Sequence, residues 1–322
     1  MSSFKRHSKR SPPRMITTSG VIPESEYKYR VLSVRHLQEL RDDFRSIDNE
    51  GYISDNETFR SYISGVSYST PELMPEAKSI IVIAVFTPMA LVNFHYNGSV
   101  HELVIPPQYY ETGLKEVQII ETIQKNIIFE SGHRVVKANP SLLLKRLAVR
   151  SGLARYGRNN ITYVDEFGSF ITLYAYFTDF QFERDDWTEV KMLEECSTCR
   201  TCRNKCQTGA IRGNPFVIDV GKCVTLYNEI SGEFPDWIPK SAHNALMGCM
   251  ACQMYCPANK SSVSRPIKFE DITQDETTAI LEGVLNEDEL KSLSSKLRGY
   301  SPTDSIESFP IFKRNLKVLL NP

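Results

Sequence analysis

Cys196-Ser-Thr-Cys199-Arg-Thr-Cys202-Arg-Asn-Lys-Cys206 and, further on, Cys249-Met-Ala-Cys252-Gln-Met-Tyr-Cys256-Pro257 decide how this chain is read. The first run is C-x2-C-x2-C-x3-C and the second C-x2-C-x3-C-P, with Cys223 between them. All 8 cysteines of the 322 residues fall in this span. A disulfide framework spreads its cysteines through a short secreted chain, whereas clustering at short fixed intervals points to metal. A cubane [4Fe–4S] cluster needs four thiolates and a C-x2-C-x2-C loop offers three of them. In proteins holding two cubanes, the fourth comes from beside the other cluster. That crossing rule groups Cys196, Cys199, Cys202 and Cys256 on one cluster, and Cys206, Cys223, Cys249 and Cys252 on the other. The alternatives are structural zinc and unligated core thiols; four-cysteine zinc sites more often show paired C-x2-C knuckles. Gln207 follows Cys206 where such runs usually carry Pro, a change that removes no ligand.

Around this span the composition is that of an ordinary globular protein, 41% hydrophobic and 24% charged. Lys+Arg is 38 and Asp+Glu 39, a net charge of −1, so overall charge gives no argument for nucleic-acid or membrane binding. The longest apolar run, residues 80–86, falls far short of the roughly 20 residues that span a bilayer. No signal peptide opens the chain. A soluble, cytoplasmic protein without a membrane partner is expected. Residues 1–30 read as a flexible tail whose start carries Lys5, Arg6, Lys9, Arg10 and Arg14 and no acid before Glu24.

Residues 31–189 read as a mixed unit of helices and strands. Apolar spacing predicts helices over 31–47, 114–129 and 140–153, the second burying Val117, Ile120, Ile123 and Ile127. Residues 79–86 read as a strand buried on both faces, Val135 and Val136 as a short strand, and 161–164 with 170–177 as a hairpin turning at Gly168. Residues 190–262 form the cluster module, and 263–322 a helical extension with helices over 273–285 and 286–297, Asn286 capping the latter. There is no G-x-G-x-x-G, no C-x3-C-x2-C and no Asp-x-His-x-x-Gly, so a Rossmann site, radical-SAM chemistry and a histidine-ligated corrinoid module are unsupported. The 6 histidines show no metal-ligand spacing.

The stretch Leu147-Ala-Val-Arg-Ser-Gly-Leu153-Ala-Arg-Tyr-Gly157-Arg-Asn159-Asn160 resembles the A-x-R-A-G-L-G-x-x-G-K-N signature of epoxyqueuosine reductases. Thr208-Gly-Ala-Ile211, Lys222-Cys-Val-Thr-Leu-Tyr-Asn-Glu229 and Gly248-Cys-Met-Ala-Cys-Gln253 resemble that family too, and the likeness covers roughly residues 75 to 260. The resemblance implies an α+β (α/β) fold. A nitroreductase-like cobalamin-binding and substrate domain is fused to a bacterial ferredoxin-like double [4Fe–4S] module with a short helical C-terminal tail. It implies the same crossed cysteine grouping, a base-off cobalamin without a histidine ligand, and a relationship to reductive dehalogenases. An external low-potential donor, ferredoxin or flavodoxin, would supply single electrons, and tRNA is the implied substrate carrier. Arg150, Gly152, Leu153, Gly157, Asn159, Asn160 and Tyr163 are the expected corrin-lining residues, with glycines allowing close approach and amides meeting the corrin's own amides.

The chain also departs from the family. Where the family has an Asp acting as general acid three residues before the Pro that opens the signature helix, this chain has Lys137. Lys137 could donate a proton if burial lowered its pKa, or could be a solvated loop residue. Tyr109 and Tyr110 are the other candidate donors, with packing as the competing role. Three functions stay open at this point. They are reduction of epoxyqueuosine in tRNA, reductive removal of a group from a small molecule, and electron transfer or corrinoid reduction with no substrate of its own.

Overall fold

The run Ser79–Phe86 (β2) forms a strand in which all but the last residue are buried. The computed structural model describes residues 20–138, 142–213, 217–300, 303 and 307–321. Strand β2 lies inside an antiparallel sheet of order β1-β2-β8-β5, with β1 Tyr27–Ser33, β5 Val135–Lys137 and β8 Ile171–Thr178. Successive side chains of a strand point to opposite faces. Ile80, Val82 and Ala84 therefore pack on one side with Leu37 and Leu40 of α1 (Leu37–Asn49) and Leu147 and Ala148 of α4 (Leu144–Arg150). Ile81, Ile83 and Val85 pack on the other with Ile119 and Ile123 of α3 (Glu116–Ile123) and Ile127 of the π turn that follows it. A strand covered on both faces has no polar side to alternate with, which is why its sequence is one apolar run.

A second sheet, β4-β3-β9, carries the rest of the scaffold. Ala90–Tyr96 (β3) and Ser99–Ile105 (β4) form a hairpin through Asn97 and Gly98, both at positive φ (49° and 73°), as a tight two-residue turn requires. Ile267–Lys268 (β9) pairs with β3 in parallel. Val92, Phe94 and Ile105 are covered by Ile280 of α9 (Gln274–Glu282), Leu293 of α10 (Glu287–Lys296), and Phe312 and Leu316 of α11 (Phe309–Leu320). Between β5 and β8 the chain makes the separate pair β6 (Arg155–Tyr156) and β7 (Thr162–Tyr163). The cysteine module follows, with its short helices α5 (Thr201–Lys205), α6 (Val224–Glu229), α7 (Ala251–Met254) and α8 (Lys260–Val263).

The mixed helix-and-strand fold is as expected, but several elements differ from the sequence reading. Residues 31–33 end strand β1, because Val31 and Leu32 fill opposite faces of the sheet and the helix starts only at Leu37. In α3 the buried face is Gln118, Ile119, Thr122 and Ile123, and Val117 is 54% exposed. Residues 161–164 and 170–177 do not pair as a hairpin. Val164 and Gly168 close a tight turn, after which β7 pairs with β6 and β8 with β2 and β5. The helix expected over 140–153 is formed over Leu144–Arg150, with Pro140 outside the described residues. The start of the basic tail, residues 1–19, also lies outside them. Asn286 caps α10 by accepting from the Asp288 and Glu289 amides, while α11 and the β3–β4 hairpin are additions. Among the described residues no helix is long and apolar enough to cross a membrane.

Candidate functional site

The cysteines sit on turns and one-turn helices, where the chain has little apolar surface to bury. Cys202 lies in α5, Cys223 precedes α6, Cys249 and Cys252 flank the start of α7, and Cys256 leads into Pro257. Their electrostatic neighbours fall into two sets. Cys202 feels Cys196, Cys256 and Cys199, and Cys196 feels Cys256 and Cys199. Cys223 feels Cys249 and Cys206, while Cys252 feels Cys249 and Cys223 before the more weakly felt Cys202. These are the sets that the crossing rule groups. Among the described residues, no three His, Cys, Asp or Glu side chains form a single-ion metal site.

Burial pushes the Cys202 and Cys223 thiols up to about 11, and repulsion from neighbouring sulfurs adds to this. Packed thiolates are costly unless a cation neutralises them, so the donor set fits iron–sulfur clusters. Polar groups already face individual sulfurs. The Asn244 amide donates to Cys249 Sγ at 3.2 Å, and the Thr201 hydroxyl lies 3.4 Å from Cys199 Sγ. Arg158, only 8% exposed, donates to the Cys196 and Cys199 carbonyls and fixes that loop.

A cavity of about 520 Å³ opens beside the second set. Cys206, Cys223, Cys249 and Cys252 all line it, and none of the first set does. Its lining also includes the apolar side chains Leu144, Ile161, Ile171 and Leu173, with Gln108, Asn159 and Gln253 offering amides. No histidine and no carboxylate is among the described lining residues; the charged side chains there are Lys145 and Lys205. Apolar lining, amide donors and a complete thiol set suit a corrin held without a histidine ligand.

Only part of the predicted corrin-lining set reaches this cavity. Asn159 does, and its amide donates to the Tyr163 hydroxyl at 3.0 Å while also facing Cys252. Tyr163 is buried against Cys256. Gly157 serves this pair, since a Cβ there would stand 2.5 Å from Tyr163 Cε2 and 2.6 Å from Asn159 Oδ1. Asn160 lines a second cavity of about 330 Å³ between α1, the helix α2 (Glu57–Ser64) and the start of α4. Arg150, Gly152 and Leu153 line neither. Arg150 points the other way and grips Asp43, Gly152 ends the helix at φ 68°, and Leu153 is buried in the core of the first sheet.

The candidate proton donors separate in the same way. Lys137 is exposed on the edge strand β5, paired with Glu116 at 3.1 Å and away from the cavity lining. Tyr110 is a packing residue; its hydroxyl donates to the Pro88 carbonyl at 2.6 Å and its ring meets Phe269 edge-on. Tyr109 alone lines the cavity, and its hydroxyl is hydrogen-bonded to the Glu229 carboxyl. Burial, then the nearby Glu229, pushes the Tyr109 phenol well above its usual range, and burial also raises Glu229.

Glu229, behind the cavity wall, and Lys145, in it, escaped the sequence reading. Glu229 stands in a quoted motif, but nothing in that motif shows that Tyr109, 120 positions away, meets it. Lys145 projects into both cavities with its amine 3.3 Å from the Asn160 carbonyl. It is open to water within the cavity yet walled by protein, and this desolvation pulls its pKa down.

Comparison with known proteins agrees with the motif resemblance. Residues 195–259 match a family described as a 4Fe-4S double cluster binding domain. The epoxyqueuosine reductase of Bacillus subtilis is 26% identical over 198 residues, covering 59% of this chain and 50% of that protein. That of Staphylococcus aureus is 26% identical over 232 residues, covering 70% and 58%, and that of Escherichia coli 31% identical over 143 residues, covering 44% and 36%. The chain thus spans about half the length of the curated relatives it matches. A solved epoxyqueuosine reductase from Streptococcus thermophilus shares the fold, with a TM-score of 0.61 at 20% identity over 91% of this chain and 76% of that one. So does one solved with an epoxyqueuosine-modified tRNA-Tyr stem loop, with a TM-score of 0.60 at 20% identity over 91% and 76%. A third, from Bacillus subtilis, has its aspartate-bearing catalytic loop swung out of the active site; its TM-score is 0.61 at 21% identity over 91% and 77%.

Proposed function

We propose that this chain is an iron–sulfur oxidoreductase of the epoxyqueuosine-reductase type, reducing an organic substrate in the cavity beside the second cysteine set. One observation carries the reading: all four cysteines of one set line the cavity and none of the other does. The set of Cys196, Cys199, Cys202 and Cys256 then receives electrons from an external ferredoxin or flavodoxin. The set of Cys206, Cys223, Cys249 and Cys252 delivers them inward. Such clusters reach the low end of roughly −700 to +450 mV. A cobalamin held in the cavity would supply the strongly reducing centre that the reaction needs.

The chain's own residues do the rest. Leu144, Ile161, Ile171 and Leu173 exclude water from the reacting face, Asn159 and Gln253 meet polar edges, and Tyr109 stands at the wall as the proton donor. Epoxyqueuosine in tRNA is the substrate this reading favours, since relatives of the same fold carry that name and one was solved with such a stem loop. Anaerobic reconstitution with cobalamin, followed by incubation of the reduced protein with an epoxyqueuosine-bearing stem loop, tests it. Conversion supports the reading. Clusters that load without retaining a corrin favour a plain electron-transfer protein, and loading with both but no conversion favours a small-molecule substrate.

A further inference from the structure

Among the described residues the cavity lining holds no carboxylic acid such as the family places on a loop, yet removing an epoxide oxygen to leave an alkene consumes two protons as well as two electrons. We propose, on the function argued above, that Tyr109 and Glu229 form a two-proton relay in which Tyr109 meets the substrate oxygen and Glu229 is the proton reservoir behind it.

The geometry is specific. Tyr109 lines the cavity while Glu229, hydrogen-bonded to its hydroxyl, does not, which places Tyr109 between the cavity and the carboxyl. Gly248 lets the ring lie there: a Cβ at that position would meet the Tyr109 ring and hydroxyl at 3.0 Å. Among the described residues no cation pairs with Glu229. Two basic groups of the same module are engaged elsewhere, Arg314 with the Tyr227 and Ile230 carbonyls and the Phe234 ring, and His243 with Asn228. Burial raises the Glu229 carboxyl above its usual range, against the lowering pull of the hydrogen bond from Tyr109. Tyr300 extends the chain of polar groups. Its buried hydroxyl has no hydrogen-bond partner among the described residues and lies within electrostatic reach of Tyr109.

The step balances as follows. Both C–O bonds of the epoxide break and a C=C bond forms. The two electrons come from the external low-potential donor through the clusters, and the oxygen leaves as water. Tyr109 gives the first proton to that oxygen, Glu229 restores the phenol, and Tyr109 gives the second. Solvent returns both protons before the next turnover.

Two measurements test the relay. Infrared difference spectra of the cluster-loaded protein at pH 7, wild type against Glu229→Gln, should contain the C=O stretch of a protonated carboxyl, sensitive to D₂O and displaced in Tyr109→Phe. A Glu229 that shows only carboxylate bands overturns the proposal, and this readout needs no substrate. In single turnover on an epoxyqueuosine stem loop, Glu229→Gln and Tyr109→Phe should each lose about 10²–10⁴-fold in rate with iron content retained. The double variant should be no worse than Tyr109→Phe, since residues acting as a unit are not additive. An unchanged Glu229→Gln rate, or losses that multiply, overturns it. If the wild type leaves the stem loop untouched, the substrate reading fails while the infrared result still decides the relay.

Discussion

Replacing Gly157 by alanine should damage the site more than any contact list for a glycine suggests. The new Cβ would lie 2.5 Å from Tyr163 Cε2 and 2.6 Å from Asn159 Oδ1, both nearer than real Cβ atoms are found. Neither neighbour can yield cheaply, because Tyr163 and Asn159 are each only 3% exposed and hydrogen-bond one another at 3.0 Å. The backbone cannot yield either: the Gly157 amide donates to the Ile161 carbonyl at 2.8 Å and its carbonyl accepts from Asn160 at 2.9 Å. Overpacking of this kind costs about 1–3 kcal/mol, and losing the Asn159–Tyr163 hydrogen bond adds about 1 kcal/mol. The variant should therefore lose about 2–4 kcal/mol in denaturant unfolding. It should also hold iron less firmly, since Asn159 faces Cys252 and Tyr163 faces Cys256. Gly65→Ala is the control: Gly65 has φ −84° and a Cβ there would meet nothing within 4 Å, so that change should be silent or slightly stabilising. If Gly157→Ala unfolds at the same denaturant concentration as Gly65→Ala with full iron content, the close packing of this turn is not what holds the cluster loops.

Anaerobic reconstitution should yield about eight irons per chain, four for each cubane, and zinc without iron would overturn the cysteine assignment. Cys223→Ser should remove the cluster of the cavity-lining set and leave the Cys196 set visible by electron paramagnetic resonance; loss of both signals would contradict the grouping. Asp43→Asn should cost about 3 kcal/mol, because the carboxylate, 13% exposed, holds both Arg146 and Arg150. Burial alone would raise the Asp43 pKa, but the hydrogen bonds and charges of the two arginines hold it below the ordinary 3.8. Its stabilisation is thus complete above about pH 4 and fades as pH falls through the depressed value, so wild type and variant should converge in acid unfolding. Lys137→Ala removes only an exposed ion pair and should cost under about 1 kcal/mol, with turnover unchanged; a large fall in turnover would make Lys137 the proton donor.

How much of this was legible depended on whether the signal was local. The cysteine spacing is a local statement about which thiolates one loop can offer, so the two sets could be written down before any fold was known. The double-covered strand β2 was legible for the same reason. Two missed elements had signals of their own. Asn97-Gly98 joins two seven-residue strands and is a strong hairpin marker, and Phe312, Leu316 and Leu320 recur at four-residue spacing on α11. The proton-handling pair had no such signal. Tyr109 and Glu229 come from segments 120 residues apart, and their meeting is a property of how the β3–β4 sheet and the cysteine module pack.

The signature helix shows where a local signal stops short of a site. Lys145 and Arg150 are five positions apart on α4, which at about 100° per residue sets them about 140° apart around the axis. One helix face cannot send both into the cavity. A sequence reading that assigns Arg150 to the corrin has chosen one of two basic faces without the information that separates them. That information lies 107 residues earlier, in Asp43 on α1, whose carboxylate takes Arg150 at 2.6 Å and Arg146 at 3.1 Å. With that acid drawing Arg150 towards α1, the opposite side of α4 is left to Lys145. Among the described residues Lys145 has no carboxylate in ion-pair reach, and the Asn160 carbonyl is what it contacts. The helix is oriented by its distant partner, and the cavity acquires the Lys145 amine as a consequence.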